Sequence, residues 1–159
     1  METAKIERTL HAVEHLLNLT VADIMRREVY TLDADDLLAT AARKMIENKI
    51  NGLVVMKNGK PWTVISSWDL LHLSYLESFS DHLDYLKTPI KEFIEEPVLH
   101  SLPPTASLMD AARLVAETNA RTIPVIENDK LLGVFTTYDL INTYNNIIVI
   151  EKVKERKGK

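Results

Sequence analysis

The chain contains the same pattern of residues twice, and this internal repeat limits the possible folds more than any other feature of the sequence. When Leu38–Leu70 is aligned with Leu108–Leu140, an Ala-Ala-Arg triplet and a final Asp-Leu pair recur in register. Upstream, Val21–Ile24 aligns with Ile90–Phe93 once an additional residue near Leu99–Pro103 is allowed for. A repeat of this kind predicts two copies of one supersecondary unit, which bury their apolar faces against each other.

Both copies predict the same order of elements. In the first copy, the apolar residues of Leu38–Ile46 follow the helical period, and Gly52–Met56 is typical of a buried strand. Asn58-Gly59 favours a two-residue hairpin turn, and Ser66 with Asp69 favours the start of a closing helix. We therefore expect an α+β fold, in which two β-α-β-β-α repeats pack through their sheets with pseudo-two-fold symmetry.

Three segments lie outside the repeat and complete the predicted domain organisation. An N-terminal helix carries an apolar stripe made of Ile6, Leu10, Val13 and Leu17. A monomer would have to cover this stripe itself, so we expect a homodimer. The predicted boundaries are 1–18 for this helix, 19–76 for the first copy, 77–87 for a connector, 88–146 for the second copy and 147–159 for a charged tail.

The composition argues against several classes of function. A net charge of −4 gives no general attraction to nucleic acid, and the chain has no cysteine for disulfides or thiolate chemistry. His11 and His15 have the spacing of half a metal site, but no nearby ligand completes it. The sequence offers no glycine-rich phosphate loop, no Ser-His-Asp order and no apolar run of membrane-spanning length. We expect a cytoplasmic protein without catalytic residues, metal, nucleic-acid partner or membrane partner.

The two copies resemble the cystathionine-β-synthase (CBS) domain pair, also called a Bateman module. The resemblance is carried by Val21–Met25, Val29–Leu32 and Ser66–Leu71 in the first copy, and by Arg121–Val125 and Gly133–Leu140 in the second. It implies a non-catalytic regulatory module that binds an adenine nucleotide (AMP, ADP or ATP) or S-adenosylmethionine between the repeats and signals to an unidentified regulated protein. No other cofactor is implied. The alternative is a structural dimerisation platform that binds no ligand.

A nucleotide presents a ribose diol, an anionic phosphate and a flat base, and the resemblance suggests which residues meet them. An aspartate at a helix start can accept the diol hydrogens, and a hydroxyl three residues earlier lies where a phosphate is favoured. Ser66 with Asp69, and Thr136 with Asp139, have this spacing, although such pairs also cap ordinary helices. Arg121 matches a basic position that suits phosphate.

The two predicted sites differ at two aligned positions. The first copy has Asn51 where the second has Arg121, and Thr63 where the second has Gly133, so we expect the second site to bind more tightly. The resemblance implies that the base lies against the first extended segment of each copy and against the first hairpin strand of the second copy. These candidates are Val29, Tyr30, Thr31, Leu99, His100, Ser101, Ile123 and Pro124.

Overall fold

The computed structural model describes residues 2–79 and 84–157, and the fold is α+β, as predicted. The predicted opening strand is present in the first copy, whereas in the second copy a single bridge at Leu102 takes its place. Met1, part of the predicted connector (80–83) and the end of the predicted tail (158–159) lie outside the described residues. The elements are α1 (Glu2–Asn18), α2 (Val21–Ile24), β1 (Thr31–Asp33), α3 (Leu38–Asn48), β2 (Gly52–Lys57), β3 (Lys60–Ser66), α4 (Ser67–Glu77), a 3-10 turn (Tyr85–Lys87), α5 (Ile90–Phe93), α6 (Leu108–Thr118), β4 (Thr122–Glu127), β5 (Lys130–Thr136) and α7 (Thr137–Lys157).

Local sequence signals determine where the helices begin. Ser66 precedes α4, and its hydroxyl accepts a hydrogen bond from the backbone N–H of Asp69 at 3.3 Å. Ser107 does the same for α6 with Asp110 at 3.1 Å. In return, the carboxylate of Asp110 accepts hydrogen bonds from Ser107, which lower the pKa of that carboxyl. These reciprocal bonds are capping boxes, which satisfy backbone groups left unpaired at a helix start.

Each repeat contains one antiparallel hairpin with a two-residue turn. Asn58 and Gly59 have φ values of 52° and 76°, and Asn128 and Asp129 have φ values of 51° and 61°. Positive φ at both central positions matches the right-handed twist of the strands, and Asn, Asp and Gly tolerate it best. The hairpin prediction from Asn58-Gly59 is confirmed, because β2 pairs with β3 across this turn.

The two sheets are small and contain different numbers of strands. In the first sheet, β1 pairs in parallel with β2, which pairs with β3. The second sheet contains β4 and β5, and single bridges extend it on both sides. Leu102 bridges to Val125 in β4, and Arg26, from the first copy, bridges to Val134 in β5. The second sheet is therefore completed by a residue from the other repeat.

The opening helices of the two repeats are exchanged. Val21 of α2 is fully buried in a cluster of second-copy side chains that includes Phe135, and its N–H donates to Ala106 O at 2.8 Å. Ile90 of α5 is fully buried in the first-copy core, and its N–H donates to Asp36 O at 2.9 Å. Each repeat thus completes the core of the other, which is why they form one unit.

Helices α1, α4 and α7 each expose several apolar side chains. The predicted stripe of α1 is helical, and its four members are between 45% and 57% exposed. Trp68 and Leu71 of α4, and Tyr138 and Ile141 of α7, are also more than half exposed. Helix α7 continues through Lys157 into the segment predicted as a tail. Among the described residues, no helix combines the length and the apolar character needed to cross a membrane.

The exchange of opening helices predicts that a substitution in the second copy destabilises the first. We expect Ile90→Ala to lower the free energy of unfolding by about 2–5 kcal/mol, since it leaves a cavity in the first-copy core. Both tryptophans, Trp62 and Trp68, belong to the first copy, so their fluorescence reports on this core. Denaturant unfolding followed by tryptophan fluorescence and by far-UV circular dichroism should show one shifted transition.

Ile46→Ala is the matched control for this experiment. Ile46 is 78% exposed on α3, so the same chemical change should alter stability by about 0.5 kcal/mol or less. If Ile90→Ala resembles this control, or if the fluorescence transition stays in place while the circular dichroism transition moves, the exchanged packing is wrong.

Candidate functional site

Two clefts lie between the repeats, each beside a hydroxyl–aspartate pair at a helix start. The first cleft has a volume of about 460 Å³ and is lined by Ser66 and Asp69 together with Val98 and His100 of the second copy. The second cleft has a volume of about 840 Å³, and Thr136 of the second copy lines it with Val29 and Tyr30 of the first. Each cleft therefore combines the helix start of one repeat with the opening segment of the other, meaning the residues that follow its opening helix (26–30 in the first copy and 95–100 in the second).

Both aspartates are held by the hydroxyl residue three positions earlier. Asp69 Oδ2 accepts hydrogen bonds from Ser66 N at 2.7 Å and Ser66 Oγ at 2.6 Å. Asp139 Oδ2 accepts the equivalent bonds from Thr136, with the backbone N at 2.9 Å. These bonds fix the orientation of each carboxylate at the first turn of α4 or α7. The prediction that the two pairs open helices is confirmed by the helix bounds.

Asp139 has a second partner, which the sequence analysis missed. Arg26 donates to Asp139 Oδ1 from Nε at 3.1 Å and from Nη2 at 2.9 Å. The Asp139 side chain is 12% exposed, whereas that of Arg26 is 49% exposed. The only available sequence signal was the alignment of Arg26 with Glu95, a reversal of charge at equivalent positions of the two copies.

Backbone pairing positions Arg26 beside the aspartate. Arg26 N donates to Val134 O at 2.8 Å, and Val134 N donates to Arg26 O at 2.9 Å. Gly133 makes this approach possible, because a Cβ atom there would lie 2.6 Å from Arg26 O and 2.8 Å from Met25 Sδ. Gly133 is therefore required by the opening segment of the first copy, which passes directly over it.

The first cleft has a different neighbour at the corresponding place. Thr63 replaces glycine there, and its hydroxyl donates to Val98 O at 2.9 Å. Glu95 and Glu96 line a side pocket of about 330 Å³ together with Asp69. The second cleft instead carries four cationic side chains and one acidic one, Arg26, Arg27, Lys49, Arg121 and Glu28. The two clefts have the same frame, but acidic side chains line the pocket beside Asp69, whereas cationic side chains line the second cleft.

Arg121 and Asn51 are equivalent residues of the two copies, and both lie between the two clefts. Both line the first cleft and the second, because β2 and β4 begin next to each other between the clefts. The strands approach closely at Gly52, where a Cβ atom would lie 2.5 Å from Thr122 Oγ1. Arg121 O also accepts a hydrogen bond from Thr137 N at 3.3 Å, which links the start of β4 to the start of α7. Arg121 therefore lines both clefts, and its assignment to the second site stays a prediction.

The remaining candidates lie behind or beside the clefts. Ile123 and Pro124 are fully buried in β4 and are not among the residues that line the two clefts, so their contact with the base stays a prediction. Thr31 lies in β1, where its carbonyl accepts a hydrogen bond from Lys44 Nζ at 2.8 Å. Leu99 and Ser101 flank His100 but line neither cleft. Within residues 2–79 and 84–157, no group of three or more His, Asp and Glu side chains has an arrangement that could hold a metal ion.

Comparison with known proteins identifies related sequences and structures. The family model described as "CBS domain" matches residues 21–75 and 90–146. An uncharacterized protein of Methanocaldococcus jannaschii is 28% identical over 130 residues, covering 76% of this chain and 31% of that protein. A homoserine O-acetyltransferase of Methanosalsum zhilinae is 28% identical over 133 residues, covering 82% of this chain and 25% of the enzyme. The chain thus spans less than a third of the length of these two relatives.

Among solved structures, CBSX2 in complex with AMP superposes on this chain with a TM-score of 0.69. The two sequences are 26% identical, and the match covers 82% of this chain and 98% of CBSX2. The similarity includes both repeats, so the pairing of the two units is common to the two proteins.

Proposed function

This chain belongs to the CBS domain family, and we propose that it is a cytoplasmic, non-catalytic regulatory module that binds an adenine nucleotide or another adenosyl ligand between its repeats. The observation that carries the proposal is the second cleft, which is lined by four cationic side chains. One of them, Arg26, pairs with the helix-start aspartate Asp139. The solved structure of CBSX2 with AMP, a protein similar over both repeats, supports this class of ligand.

The ribose is the part of the ligand assigned to the aspartates. An ionised carboxylate is a pure acceptor, and its two oxygens suit the two hydroxyls of a ribose diol. Asp139 is mostly buried and oriented by Thr136, so its geometry exists before a ligand arrives. Preorganisation of this kind lowers the entropic cost of binding.

The phosphate is assigned to the cationic lining of the second cleft. Arg27, Lys49 and Arg121 line it without a hydrogen bond to an acidic side chain among the described residues. A guanidinium fork matches a phosphate group, and charge-assisted hydrogen bonds are the stronger kind. The base is assigned to the opening segment, where Tyr30 is 45% exposed and lines the same cleft.

The regulatory role is proposed for the module and not for a complete enzyme. The match to homoserine O-acetyltransferase concerns a quarter of that protein, so the enzyme's activity is not transferred to this chain. We propose that a bound ligand changes the relative packing of the repeats and that a partner protein detects this change. A ligand can shift such an equilibrium only through different affinities for the two arrangements. A platform that binds no ligand is the alternative.

The proposal predicts unequal contributions from the two aspartates. We expect Asp139→Ala to weaken AMP binding by at least tenfold, because the nucleotide loses its hydroxyl acceptor in the cationic cleft. Asp69→Ala should have a smaller effect, since Glu95 and Glu96 line the side pocket beside Asp69 and disfavour an anionic ligand there. Isothermal titration calorimetry, performed well below the melting temperature of each variant, measures both.

Equal losses for the two variants, or a larger loss for Asp69→Ala, would contradict the ranking of the clefts. If neither AMP nor S-adenosylmethionine binds the unmodified protein below millimolar concentration, the ligand-free platform is the correct interpretation.

We also propose that the chain forms a homodimer through its exposed apolar helical faces. The stripe of α1 and the outer faces of α4 and α7 expose large apolar side chains, which a second copy of the chain would cover. Light scattering at micromolar concentration should give twice the mass of the chain. Combining Leu10→Asp with Leu17→Asp should produce a monomer, whereas His11→Asp, at an exposed polar position of α1, should not. A monomeric mass for the unmodified protein would exclude the dimer.

A further inference from the structure

The two aspartates differ in how many of their acceptor positions are already occupied. An ionised carboxylate offers about four positions for hydrogen-bond donors. Asp139 uses four, because Thr136 donates twice to Oδ2 and Arg26 donates twice to Oδ1. Asp69 receives both donors of Ser66 on Oδ2, and no donor to its Oδ1 is present in the described part of the chain. A ribose diol can therefore reach Asp69 directly, but at Asp139 it must displace Arg26.

We propose that Arg26 is a specificity-determining residue, which makes the second cleft select phosphorylated adenosine compounds against neutral nucleosides. The inference rests on the proposed function and specifies its ligand class. In the ligand-free state, the Arg26 guanidinium occupies the Asp139 oxygen that the diol requires. A nucleotide releases it, because the phosphate gives the guanidinium another anion to pair with.

The exposure of the two side chains makes this exchange physically reasonable. Asp139 is 12% exposed, so its charge needs hydrogen-bond donors at all times, and the diol takes over that role. Arg26 is 49% exposed, so its guanidinium can turn away from the carboxylate without entering an apolar environment. The backbone bonds between Arg26 and Val134 hold the main chain in place. The movement is therefore confined to one side chain.

A neutral nucleoside lacks the compensating charge. It must replace two charge-assisted hydrogen bonds to Asp139 by bonds from neutral hydroxyls, and it offers the displaced guanidinium no anion. The first cleft applies no such selection, because Glu95 aligns with Arg26 and lines the pocket beside Asp69. Arg121 lines both clefts, so it does not produce this difference.

Calorimetry with adenosine and AMP tests the inference in a protein that carries Asp69→Ala, so that the second cleft dominates binding. We expect Arg26→Ala to strengthen adenosine binding by about twofold to fivefold, because the internal competitor is gone. AMP binding should not improve, since the lost phosphate partner offsets the freed carboxylate. The preference for AMP over adenosine should therefore fall.

Arg27→Ala is the matched comparison, because it removes the same charge from the same cleft without touching Asp139. It should weaken AMP and leave adenosine unchanged. Arg26→Gln provides a second variant of similar length, and melting curves confirm that each variant is folded. If Arg26→Ala weakens adenosine, or changes both ligands equally, Arg26 is not the competitor, while AMP binding would still support the proposed function. If AMP does not bind before the Arg26 substitution, this inference fails, and the proposed function fails with it only if S-adenosylmethionine does not bind either.

Discussion

The rest of the structure depends on the pair of backbone hydrogen bonds between Arg26 and Val134, which joins the two repeats beside the second cleft. These bonds attach the opening segment of the first copy to the sheet of the second, at 2.8 and 2.9 Å. They place the Arg26 side chain at Asp139 and direct the following residues, Val29 and Tyr30, into the second cleft. They form only because Gly133 leaves room for Arg26 O. The path of the opening segment, the lining of the second cleft and the position of the Arg26 charge therefore all depend on this one backbone pairing.

Small differences between the copies give the two clefts different chemistry on the same frame. Thr63 replaces Gly133 in the first copy, and a side-chain bond to Val98 replaces the backbone pairing. Glu95 aligns with Arg26, so acidic side chains lie beside Asp69 where a cation lies beside Asp139. A repeat protein can in this way present two related sites to different ligands without a change of fold.

The sequence predicted the parts of this structure that local residues determine. The hairpin at Asn58-Gly59 follows from backbone preferences of those two residues, and the helix starts at Ser66 and Thr136 follow from their spacing to aspartate. The exchange of α2 and α5 was not predictable, because an apolar opening helix has the same pattern whichever core it enters. Arg26 was missed because its partner, Asp139, lies 113 residues away in the sequence, where no local pattern indicates the contact.

A crystal structure of the protein with AMP would test the central claim most directly. The ribose hydroxyls should contact Asp139 in the second cleft, and the Arg26 guanidinium should have moved from this carboxylate to the phosphate. Arg27, Lys49 or Arg121 should complete the phosphate contacts from the same cleft. An AMP molecule bound in the second cleft with the Arg26–Asp139 pair intact, or bound only beside Asp69, would contradict it.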